Sequence, residues 1–243
     1  MLRTSHGTMH SRPIDRLWRD CWCHPAQRTL YGLWDHMALL TLPRGPSETT
    51  QSWYANARLG VYVLTLILWG GGLPGPQIHY FISRCKEKSG PYSLWSWRWA
   101  MQNLVCMDQI ENICWWSDGG RHFRSNISIS TMAVRGVEML GQRSHQDRHN
   151  HQMDISFGVP SHFKNHCDGA QAHLRHLLSE VAKTRVVSSI DKLIPTCRAL
   201  YDEFKSDPMR PTRLPAHFHD HFPLNDRDKF VEEYCVSLIA SSF

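Results

Sequence analysis

No stretch of this sequence is apolar for long enough to cross a membrane as a helix. The longest apolar run, from Leu59 to Trp69, is about half of the ~20 residues that a bilayer core demands. The N-terminus is polar and basic with no apolar segment behind its charges, so a secretory leader is not expected. A disulfide framework is missing too. The eight cysteines, at 21, 23, 85, 106, 114, 167, 197 and 235, follow no framework spacing, and reduced thiols inside a cell are the expectation. The sequon Asn126-Ile127-Ser128 is then expected to stay unmodified, because glycosylation needs the secretory route. Charge of either sign is not in large excess. The 27 Lys and Arg against 22 Asp and Glu leave +5, which permits contact with nucleic acid and equally suits an ordinary basic soluble protein. Glycine and proline are few, 15 and 13 among 243 residues, and 42% of the chain is hydrophobic. That excludes broad disorder and provides for one sizeable core. No internal repeat is present.

What the chain does have is ten tryptophans, sixteen histidines and a regular alternation of apolar and polar segments. Residues 1–28 read as an irregular, His- and Arg-rich lead-in broken by Pro13 and Pro25. Thr29 to Leu42 reads as a strand with Asp35 in its middle, followed by the turn Pro43-Arg44-Gly45-Pro46. Leu59–Trp69 is β-branched and aromatic, as a buried strand should be. Ile78–Ile82 is a third strand. From Tyr92 to Met107 apolar residues fall at 94, 97, 101, 104 and 105, which predicts a helix with one buried face. Glu111–Gly120 predicts a strand running into a sharp turn, His122–Met139 a helix, 141–152 an exposed loop, and Met153–Val159 a strand stopped by Pro160. Asp168–Lys183 is amphipathic, with Ala170, Leu174, Leu177, Leu178 and Val181 on one face. Ser189–Phe204 predicts another helix, capped by Ser188 or Ser189. Residues 206–226 read as irregular, and a short helix from Asp226 to about Ala240 follows. The pattern predicts an α/β domain over 29–205. Its mixed sheet has three antiparallel strands and then alternating helices and strands, with helices on both faces. A Pro- and His-rich extension occupies 206–243.

Three acids stand at informative places. Asp35 interrupts an apolar strand, where a carboxylate buried without a partner is costly. Asp118 follows Trp115-Trp116-Ser117 and precedes two glycines, so it sits where a strand turns at the sheet edge. Asp168 opens an amphipathic helix. Each also has a plain explanation: an exposed residue of an edge strand, a turn former, and a first-turn acid that favours the helix dipole. As a set they lie 83 and 50 residues apart on three different elements. Three converging carboxylates could hold two Mg²⁺ ions, which prefer hard oxygen ligands, and paired metals clamp the two oxygens of a phosphodiester displacement. On this reading the carboxylates gather at one corner of the sheet.

The segment Trp116-Ser-Asp-Gly-Gly-Arg-His-Phe-Arg-Ser125 resembles the second-aspartate motif of DDE/DDD transposases and retroviral-type integrases. His162-Phe-Lys-Asn-His-Cys-Asp-Gly169 is similar to the third-acid region of eukaryotic transposon-derived proteins, with Phe163 where those sequences often carry Gly. Trp34-Asp35-His-Met-Ala-Leu-Leu-Thr-Leu-Pro43 resembles their first-aspartate strand. The resemblance covers about residues 30–205. It implies an RNase H-like fold, Mg²⁺ or Mn²⁺ held by Asp35, Asp118 and Asp168, hydroxyl attack on DNA phosphates, a nuclear location, and a chain able to form homo-oligomers. Arg121, His122, Arg124, His162 and Lys164 would then contact phosphate or DNA; solvent exposure is the alternative for Arg121, Arg124, His162 and Lys164, and packing beside the turn the alternative for His122.

Two further functions stay open on the sequence. A transposon-derived relative without catalysis, binding DNA or another partner, shares every feature except use of the acids. A zinc module is suggested by Cys21-x-Cys23-His24, His162-x₃-His166-Cys167, His173-x₂-His176 and His217-x-His219-x-His221, although none supplies two ligand pairs at a structural spacing. Trp95-Ser-Trp-Arg-Trp99 could stack on bases or form the core face of its helix.

Overall fold

The computed structural model describes residues 21–22, 25–26, 28–42, 59–83, 90–105, 110–120, 123, 128–132, 152–158, 165–206 and 214–220. Its elements, in chain order, are β1 (Thr29–His36), β2 (Leu40–Leu42), β3 (Leu59–Gly70), β4 (Gln77–Ser83), α1 (Gly90–Leu104), β5 (Asn112–Ser117), β6 (Gln152–Phe157), α2 (His166–Ala182), α3 (Ile190–Lys205) and β7 (Ala216–Asp220). The seven strands form one mixed sheet in the order β6-β5-β1-β3-β4-β7, with β2 also paired to β3. β1 runs antiparallel to β3, and β3 antiparallel to β4. β5 is parallel to β1, β6 parallel to β5, and β7 parallel to β4.

Alternation along the strands sends side chains into two cores. Tyr31, Leu33, Val63, Ile67, Tyr80 and Trp116 pack under α2 and α3 with Leu174, Leu178, Leu193 and Ile194. Leu30, Trp34, Leu66, Phe81, Ile113 and Trp115 pack under α1 with Leu94, Trp97 and Met101. Helices therefore cover both faces, as the pattern predicts. Strands buried on both sides read as continuous apolar runs, which is why Leu59–Trp69 is legible. The turn that follows depends on glycine: Gly70, Gly71 and Gly72 all have positive φ, at 74°, 57° and 81°, and the Leu73 amide donates back to Gly70 at 3.0 Å.

Two sequence expectations need correction. The predicted single strand Thr29–Leu42 is two. Three residues, 37–39, stand on this side where β3 supplies two, 62–63, between the paired positions His36↔Leu64 and Leu40↔Val61. One extra residue cannot stay in register, so the chain bulges after His36, within 37–39, while the Met37 amide still bonds Val63 at 2.9 Å. The second correction lies within 206–226, which holds β7, a full edge strand of the main sheet. Its alternation is Ala-His-Phe-His-Asp: Phe218 is buried in the α2/α3 core while two histidines occupy the other face. Histidine in place of an aliphatic residue hides a period-2 signal. α3 starts as expected, with Ser189 as N-cap.

Most of His122–Met139, all of 141–151 and the helix expected at Asp226–Ala240 lie outside the described residues. No helix among the described residues is long and apolar enough to cross a membrane.

Candidate functional site

Asp35 and Asp118 are brought together by strand pairing. Trp34 of β1 lies opposite Ser117 of parallel β5, so the next residue on each strand, Asp35 and Asp118, stands at the neighbouring register position. Alternation also gives them a common face: Leu33 before Asp35, and Trp116 before Asp118, both enter the core beneath α2. Both acids are half-buried. Asp118 Oδ1 accepts a hydrogen bond from the Gly120 amide at 2.8 Å, which closes the turn out of β5.

Asp168 arrives from α2. The helix is capped by Asn165, whose side chain accepts from the Cys167 amide at 2.8 Å. Asp168 Oδ2 accepts from the Asn165 amide at 2.9 Å, the reciprocal half of a capping box. The same first turn is fastened to β1. The Cys167 thiol is fully buried, with its sulfur 3.6 Å from the Leu33 carbonyl oxygen and 3.7 Å from that of Thr65. Gln171 donates to the Asp35 carbonyl at 3.4 Å. Burial, with the Asp35 and Asp168 carboxylates adding to it, pushes the Cys167 thiol well above its ordinary range, so this sulfur keeps its proton and serves as a neutral donor. Three elements thus meet at one corner: the C-terminal ends of β1 and β5 and the N-terminus of α2.

Asp118 and Asp168 have the local bonds expected of a turn former and a helix-start acid. Among the described residues, no group of three or more His, Cys, Asp or Glu is placed to hold a metal ion. That applies to the acids as they stand and equally to the zinc patterns, insofar as their residues are described. Arg121, His122, Arg124, His162 and Lys164 lie outside the described residues, as do Cys23, His24 and His221. Trp97 is fully buried, and Trp95 and Trp99 pack half-buried against the same core, so the core role of that tryptophan run is the one observed. The described cysteines, Cys21, Cys114, Cys167 and Cys197, are free thiols.

Sequence reasoning missed Cys167 and Gln171 as the residues that seat α2 on β1. Their spacing was a usable signal, since 167, 171, 174 and 178 follow one helical face. The capping box is testable. Asn165→Ala removes the acceptor for the Cys167 amide and should cost about 1 kcal/mol, read as a lower urea midpoint at unchanged slope.

No protein-family model matches this chain, and no curated protein matches it.

Proposed function

We propose that this chain is an RNase H-like polynucleotidyl transferase of the transposase and integrase kind, which cuts and joins DNA strands. The observation that carries the reading is the pairing of Trp34 with Ser117, which sets Asp35 and Asp118 side by side at the ends of two parallel strands. The surrounding topology supports it. Strands β4-β3-β1-β5-β6 are consecutive in the sheet, the first three antiparallel and the last two parallel to β1. An RNase H-like sheet would have the same order, and the acids lie on the first of these strands, after the fourth and on the helix that follows the fifth.

The group this reading implies is Mg²⁺ or Mn²⁺. Carboxylate oxygens are the hard donors such ions prefer, and the neighbouring positions of Asp35 and Asp118 suit that chemistry. Asp168 commits one oxygen to the Asn165 amide, so it would join them through the other, Oδ1. Bound cations would stabilise charge on the attacking and leaving oxygens of a phosphodiester. The chain's own residues fix the geometry: the Cys167 thiol and the Gln171 amide hold α2 against β1, and the bulge after His36 ends regular pairing where substrate would enter. Arg121, His122, Arg124, His162 and Lys164 fall in the segments after β5 and before α2, where they would meet DNA phosphates. On this reading the protein would act in the nucleus, where such a substrate lies.

A second reading, a relative that keeps the fold and DNA contact without catalysis, is favoured by the capping bond of Asp168 and by the lack of a metal-holding group among the described residues. Nicking of supercoiled DNA in Mn²⁺ separates the two. Activity in the parent that disappears in Asp118→Asn supports the enzyme. No nicking by either protein supports the inert relative, and equal nicking by both removes Asp118 from the mechanism.

A further inference from the structure

We propose that β7 is a proton-released edge strand: the neutral imidazoles of His79, His217 and His219 hold it on β4, and protonation of that cluster frees it. The register puts His79 opposite His217 and Phe81 opposite His219, so four rings share one face of the sheet, buried at His79 and Phe81 and open to solvent at His217. His79 stacks on His217 at 4.9 Å between centroids and on His219 at 5.4 Å. His219 also lies on Phe81 at 5.0 Å and against Trp99 of α1 at 4.9 Å. Within the stack, His79 Nδ1 and His219 Nε2 are 3.1 Å apart and hydrogen-bonded. One ring must donate and the other accept, which requires an acceptor nitrogen that carries no proton. If both rings are charged, two N–H groups point at one another.

The surroundings offer a second proton poor accommodation. His79 is 1% exposed, and its buried Nε2 has no hydrogen-bond partner among the described residues. α1 presents the Trp99 ring to His219, and β4 presents Phe81. α3 presents the cation Arg198, whose guanidinium donates to the Phe218 carbonyl at 2.6 Å, and Lys205 acts on His217. Tyr201 and Asp202 of α3 line a cavity beside the same two histidines, and Asp202 is the carboxylate there. Burial first, and then the neighbouring histidines, lower His79 to about 3. Burial, His217 and Arg198 lower His219 to about 4. Burial and Lys205 lower His217 as well. A metal would need the nitrogen lone pairs to converge. Here one lone pair accepts the partner's N–H, and no group of three ligands among the described residues could hold an ion.

The sign follows from linkage. A released strand has histidines near 6.5, whereas the docked strand holds them lower. Docking is therefore fully favoured above about pH 6.5 and weakens as pH falls through that value towards the docked pKa values. Each of His79 and His219 changes the docking equilibrium by about tenfold between pH 7.5 and 5.5, so together they weaken it on the order of 100-fold across that window.

The test is hydrogen exchange on the full chain at pH 7.5 and 5.5, corrected for intrinsic rates, with the β5 amides (112–117) as internal reference. Expected is a fall in protection of 216–220 on the order of 100-fold relative to β5. In His79→Phe/His219→Phe, which keeps two stacked rings and leaves His217 as the one titrating member of the cluster, the pH effect should fall from on the order of 100-fold to about tenfold or less. Equal relative protection at both pH values in the parent overturns the proposal, as does a variant that loses β7 protection as the parent does. If the double variant does not fold, NMR titration of the parent's histidines decides: two rings still neutral at pH 5.5 while β7 stays docked support the latch, and titration of all three near 6.5 overturns it.

Discussion

Gly32→Ala should destabilise the domain by about 3 kcal/mol, the upper end for forcing extra volume into a packed core, read as a lowered urea midpoint in the parent–variant pair. Elsewhere in a strand, alanine would be neutral or better than glycine, because it loses less backbone entropy on folding. The sign reverses here because of one ring. Gly32 lies opposite Trp115 across the β1–β5 pair, and the indole covers its α-carbon. A methyl carbon built on Gly32 would collide with ring carbons Cζ3, Cε3 and Cη2, the last at 2.6 Å. Trp115 has nowhere to go. It is fully buried, with Trp34 set edge-on at 5.4 Å and Trp97 edge-on at 6.1 Å. The alternative is to part β1 from β5, and that would also part Asp35 from Asp118. The collision can be separated from a general intolerance of side chains by a cycle with Trp115→Leu. That single change leaves a cavity and should cost several kcal/mol, but adding Gly32→Ala to it should cost about 1 kcal/mol less than in the parent, since the two sites share one volume. Full additivity would mean that the ring is not what excludes the methyl group.

The same ring arrangement shows what a sequence can and cannot disclose. Trp115-Trp116 was legible as strand because two bulky apolar residues in a row suit a strand buried on both faces, and the two rings do enter opposite cores. Nothing local marked Gly32 as the partner of Trp115, since that contact is made by pairing residues far apart in the chain. The helices at Gly90–Leu104, His166–Ala182 and Ile190–Lys205 were readable from a 3.6-residue period, the last also from its Ser189 cap, whereas the Asn165 cap of α2 was not read. β7 was not, because His217 and His219 flank its one buried apolar residue, Phe218, and carry no hydrophobic signal. The split of β1 from β2 depends on a count of residues across a partner strand, which no single strand reveals. Of the candidate site, the positions of Asp35, Asp118 and Asp168 on separate elements were legible from motif resemblance. For the fastening of α2, only the shared helical face of Cys167 and Gln171 was open to sequence reading; its partners are backbone carbonyls, whose location depends on the fold alone.

The second large effect concerns the acids and distinguishes a site from a set of structural residues. Asp35→Asn should lower Mn²⁺-dependent strand cleavage by about 10³-fold, the loss of several kcal/mol of charge stabilisation at the phosphodiester. In chelator the same variant should become more stable, not less. Asp35 and Asp118 stand at neighbouring register positions on one face, and removing one of two like charges relieves repulsion of about 1 kcal/mol, which corresponds to a Tm about 2–4 °C higher. Mn²⁺ should then raise the Tm of the parent, by binding the folded state, and leave that of Asp35→Asn nearly unchanged. Asp168→Ala is the contrasting case. It loses the bond to the Asn165 amide and should cost about 1 kcal/mol in chelator, so a stability loss there says nothing of catalysis. The opposite sign at Asp35 is what carries the argument: residues kept for chemistry destabilise the fold they sit in, and residues kept for folding do not. If Asp35→Asn lowers the Tm in chelator and Mn²⁺ shifts parent and variant alike, Asp35 is a structural group, and the corner formed by β1, β5 and α2 is architecture without a cation site.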